Sequence, residues 1–67
     1  MLGMKSSQPN LADRQFAMEM IKHHRMAVKM SEDIILNGRS AKIKMKARQI
    51  INTQTAEIAF FQNFLAS

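Results

Sequence analysis

Between Pro9 and Ser67 a single glycine, Gly38, interrupts the chain, and neither run it separates contains another helix breaker. Apolar residues in both runs recur every three or four positions. Those two facts confine the chain to long helices joined by a short turn. In the first run the apolar side is Phe16, Met20, His24, Ala27, Ser31 and Ile34 with Ile35. Glu19, Lys22, Arg25, Lys29 and Glu32 fall elsewhere, where water solvates them. Asn10 is placed to cap this helix by accepting a first-turn backbone N–H, and Asp13 adds negative charge at the positive helix end. Asn37-Gly38 is the stop, with Gly38 expected in the left-handed conformation that satisfies the last carbonyls. The first helix is expected over about residues 11–37, roughly 40 Å at about 1.5 Å per residue.

Ser40 then caps a second helix over about residues 41–66. Its apolar side is Ile43, Ala47, Ile50 with Ile51, Gln54, Ile58, Phe61 and Leu65. A link of about three residues makes the two helices antiparallel neighbours. The expected fold is all-α: one domain over residues 11–66, an antiparallel two-helix hairpin, behind a flexible lead-in of residues 1–10. Two helices cannot cover all of their own apolar surface. Two hairpins are therefore expected to pair as a symmetric homodimer, a four-helix bundle. The length of 67 residues points the same way, since a lone chain this short buries only roughly 60% of its unfolded surface. With no cysteine, neither disulfides nor thiolate metal sites can supply the difference.

The formal charge is +5, from ten Lys and Arg against five acids. A basic balance raises nucleic acid and anionic membrane as partners. The modest cluster at Arg39, Lys42, Lys44, Lys46 and Arg48 comes with no aromatic interleaving and no DNA- or RNA-reading motif, so it reads as a solvated face and nucleic acid is disfavoured. No apolar run approaches the ~20 residues of a membrane span, and the polar first ten residues lack the apolar middle of a signal peptide. The chain as written is expected to be soluble, and its compartment is left open.

Chemistry concentrates between Phe16 and Met30, where two adjacent histidines sit among four of the seven methionines. Successive helical residues lie about 100° apart, so His23 and His24 cannot point the same way. His24 lies within the apolar side, a turn from Met20. His23 lies on its flank, with Met26 and Met30 further round. Folding the hairpin about Gly38 and Arg39 sets His23 and His24 opposite Gln54, and Met20 opposite Glu57. Such polar groups are costly to bury unpaired, so they are expected to serve one another in one layer.

Two readings of that layer stand. In the first it fixes helix register and dimer specificity, with methionine as adaptable filler. In the second, imidazole nitrogen and thioether sulfur converge on a metal. A His/Met set without Cys favours Cu(I), with zinc second through the imidazoles. His23, His24, Met20 and Met30 are then the ligand candidates, with Met26 beside them, while Gln54 or Glu57 holds a ring N–H and fixes the tautomer. A di-iron carboxylate site is a poor alternative: it needs four carboxylates and two Glu-x-x-His pairs, against Glu57 twice and no such pair. No enzyme is expected. Ser31 is two turns from His24, Ser40 is engaged as a cap, and neither has a base with an orienting acid.

The combination Phe16-x-x-x-Met20-Ile21-x-His23-His24-x-x-Ala27-Val28-x-Met30, then Gly38, then Ile50-Ile51-x-x-Gln54-x-x-Glu57-Ile58 and Leu65, resembles the ferritin-like bacterial bundle family DUF305. The resemblance runs from about Asp13 to Leu65. It implies a helical bundle, commonly exported, with some relatives tied to copper binding and tolerance through His and Met. The matching positions are Asp13, Met20, His23, His24, Met30, Gln54 and Glu57. The family often has Met and Trp where this chain has Phe61 and Phe64, which removes one soft ligand. Relatives often carry two hairpins in one chain; a single hairpin here fits assembly as a dimer.

Overall fold

The structure is a computed structural model that describes residues 10–67, so the expected lead-in lies outside the described residues except for Asn10. Two helices make up the described chain, α1 (Leu11–Asn37) and α2 (Ala41–Ala66), with no strand among the described residues. The hairpin is all-α, as expected. No helix among these residues is long and apolar enough to cross a membrane.

Local chemistry sets the boundaries. The Asn10 side-chain oxygen accepts the backbone N–H of Asp13 at 2.8 Å, and Asp13 sits in the positive first turn. The Ser40 hydroxyl accepts the N–H of Ile43 at 3.1 Å and starts α2 in the same way. Gly38 ends α1 differently from expectation. It has φ −79° and ψ 170°, an extended conformation, and no residue among those described has positive φ. Glycine is needed here for space. The Gly38 N–H bonds to the Ile34 carbonyl at 2.8 Å, and a Cβ would stand 2.6 Å from that same oxygen. The chain leaves the helix by passing close over its last turn, and only a residue without a side chain passes there unstrained.

The seam between the helices has a regular 3.5-residue period, the spacing of coiled-coil packing. On α1 it is Ala17, Ile21, His24, Val28, Ser31 and Ile35; on α2 it is Ala47, Ile51, Gln54, Ile58, Phe61 and Leu65, all buried or half-buried. This corrects the expected apolar side of α1. Phe16 is 59% exposed and Ile34 38%, and on α2 Ile43 is 54% exposed. They belong to a second apolar row about 100° round from the seam, which a two-helix hairpin has nothing to cover. Among the described residues the buried apolar ones are Ala17, Ile21 and Ala47, and no large side chain is fully buried. The small alanines let the helices approach closely, but they contribute little transfer energy at roughly 25 cal/mol per Å².

Candidate functional site

The two adjacent histidines part company. His24 belongs to the seam and is 6% exposed, while His23 is exposed on the flank. His24 Nε2 is hydrogen-bonded to Glu57 Oε1 from α2. Against a carboxylate acceptor, Nε2–H is the donor of this contact. Phe61 stands edge-on to the same imidazole, ring centres 5.9 Å apart, and edge-on to Phe16 at the same spacing. Phe61 therefore walls the histidine with an aromatic ring. Sequence reasoning placed Phe61 in the apolar row and missed this role. The signal was there, since Phe61 lies one turn beyond Glu57 on the same helix.

Of the expected layer one contact forms, the bond from a histidine ring N–H to Glu57. Glu57 meets His24, a turn along from the Met20 it was expected to face. A long carboxylate side chain on the outer row leans back into the seam and leaves its own side chain 52% exposed. Gln54 lies in the seam, half-buried. No buried side-chain N or O atom among the described residues lacks a partner, so the layer is satisfied as it stands. Asp13 is far from it at the open end of the hairpin. It lines a groove of about 270 Å³ with Phe16, Ala17, Phe60, Phe61 and Phe64. Beside it the Arg14 guanidinium reaches the Leu65 carbonyl at 3.4 Å.

The remaining ligand candidates lie along one arc of α1. Met20 is half-buried, His23 exposed, Met26 63% exposed and Met30 65% exposed. Their spacings of three, three and four residues make each the surface neighbour of the next, with Cβ atoms about 5–6 Å apart. Flexible thioethers flank the imidazole on both sides. Soft, neutral sulfur with one nitrogen fits Cu(I) and offers nothing to hard ions. Among the described residues no three His, Asp or Glu side chains gather. Zinc would find one imidazole on this arc, since His24 is held apart, and is the poorer fit. Because His24 is withdrawn into the seam, the arc, not the histidine pair, is the part of the expected ligand set that is open to solvent.

Comparison with known proteins adds one finding. No curated protein and no solved structure matches the chain. A sequence model of the family described as Domain of unknown function (DUF305) matches residues 1–65, and the chain belongs to that family.

Proposed function

We propose that this chain is a non-enzymatic Cu(I)-binding and copper-handling protein, built as a ferritin-like four-helix bundle from two copies of the hairpin. The observation that carries the reading is the arc of Met20, His23, Met26 and Met30, one imidazole among three thioethers on consecutive turns, two of them exposed. His23 is the nitrogen anchor, Met26 is the sulfur donor on the outermost side of the helix, and Met30 and Met20 approach from the side that the second copy faces. Neutral thioethers hold Cu(I) without adding charge and exchange readily, which suits transfer better than storage. Glu57 and Gln54 order the layer and contribute no metal bond.

The test is a Cu(I) titration under anaerobic, reducing conditions against a chromophoric chelator, with oligomer mass followed alongside. The expected result is saturable uptake that His23→Ala abolishes and that Met26→Leu with Met30→Leu weakens at least tenfold. If the native protein takes no copper from the chelator, the reading fails.

A second reading has its own support in the His24–Glu57 bond, which satisfies both groups without any metal. On that reading the chain is a homodimeric interaction module whose His–Gln–Glu layer sets register alone. A His24→Leu variant then loses the single oligomeric state of the native protein, and the native protein ignores copper.

A further inference from the structure

We propose that the second copy docks with its turn at the same end of the bundle, so that each Glu57 serves its own His24 and the second copy's His23. The inference rests on the dimer reading above and fixes which face meets which.

The docking face is the uncovered row beside the seam. On α1 it runs through Phe16, Met20, His23, Met30 and Ile34; on α2 through Ile43, Ile50, Glu57, Phe60 and Phe64. Phe16, Met30, Ile43 and Phe60 are each more than half exposed on it. Two grooves open on this face, the aromatic one near Phe64 and another of about 300 Å³ lined by Met30, Ile34, Ile43 and Ile50 with Lys46 at its edge. The opposite flank carries Arg14, Arg25, Lys29, Glu32, Arg48, Asn52 and Gln62, all exposed, and suits water. A face about 40 Å long and two helix diameters, about 20 Å, across offers about 800 Å². That is the area each partner of a stable interface contributes. A second copy matches it in length, in apolar character and in the position of its polar middle.

Two symmetric arrangements lay this face against itself. A two-fold axis across the bundle reverses the levels and sets α1 against α1 and α2 against α2. Glu57 then falls opposite the second copy's Ile50, and His23 opposite its Ala27, so a carboxylate and an imidazole are buried against aliphatic groups. An axis along the bundle keeps every residue at its level and sets α1 against the second copy's α2. The Glu57 carboxylate already reaches the level of His24 through their hydrogen bond. The same level therefore brings the second copy's His23 to the Glu57 oxygen that His24 leaves free. This arrangement also collects the exposed cations Arg39, Lys42 and Lys46 of both copies at one end. Exposed like charges repel weakly and salt screens them, whereas buried polar groups without partners are a heavy cost. The matched layer wins.

The absence of cysteine makes the arrangement readable from one exposed position. In Arg39→Cys, sedimentation equilibrium is expected to give a dimer, and a short bis-maleimide to join its two cysteines. The reversed arrangement holds those residues about 40 Å apart, beyond such a reagent. A dimer that fails to cross-link overturns this inference and leaves the dimer reading standing; a monomer overturns both. As a second measurement, Glu57→Gln is expected to weaken the dimer about tenfold in the native background and much less in a His23→Leu background. Equal weakening in both backgrounds removes the intersubunit contact from the proposal.

Discussion

His23 and His24 are adjacent in sequence and belong to different regions of the molecule. His24 sits in the seam, held by Glu57 and walled by Phe61. His23 sits on the outer row with exposed Met30, Phe16 and Phe60. Both rows have the same 3.5-residue period and a polar group at mid-length, yet only one has a partner within the chain. The difference teaches that apolar periodicity marks a surface able to be buried, and that the number of available partners decides how much of it is. A two-helix hairpin closes one row of each helix and leaves the other for a second molecule or a ligand.

The sharpest test of this contrast compares isoleucines from the two rows in dilute protein. Ile21→Ala, in the seam, is expected to cost about 2–4 kcal/mol in urea unfolding. Ile34→Ala, on the outer row and 38% exposed, is expected to cost less than about 1 kcal/mol for the dilute hairpin. Its cost should rise with protein concentration as dimer forms. Equal costs at every concentration would erase the distinction between the rows. Gly38→Ala strikes the turn that decides which rows meet. With the new Cβ 2.6 Å from the Ile34 carbonyl, it is expected to lose about 1–3 kcal/mol, read from the unfolding midpoint.

The layer itself is next in size. Glu57→Gln is expected to cost about 1 kcal/mol, the modest worth of a hydrogen bond whose acceptor is half exposed. His23→Gln is expected to leave the dilute hairpin unchanged in the same assay. Asn10→Ala removes an end cap common to both rows and should cost about 1 kcal/mol, seen as a lower thermal midpoint. Smallest in stability are Met26→Leu and Met30→Leu, each within about 0.5 kcal/mol of native because both side chains are exposed. Their effect should appear only in the copper titration, which separates a ligand role from packing.

Much of the fold was legible because it is decided by neighbours in the chain. Both helices begin and end at the expected residues, and Asn10 and Ser40 make the expected caps. Three features were not legible. Gly38 was expected for its left-handed conformation and is used for its missing side chain, a contact with Ile34 visible only in three dimensions. Phe16 and Ile34 were assigned to the buried side, whereas Ala17 and Ile21 occupy it, because two neighbouring rows are both apolar and periodicity does not rank them. The polar layer was expected to set both histidines opposite Gln54 and Met20 opposite Glu57, with Gln54 or Glu57 on a ring N–H; the bond that forms joins His24 to Glu57, because a long carboxylate side chain can lean from one row to the next, and His23 stays outside it.

The sequence by itself determined two capped helices, a short turn, a polar group at mid-length and a run of methionines around two histidines. Each follows from interactions within about one turn of the chain. Only the tertiary structure decided that His24 is withdrawn from solvent and tied to Glu57 while His23 faces outward. That choice depends on which row of each helix faces the other, a packing set by both helices together and written in neither alone.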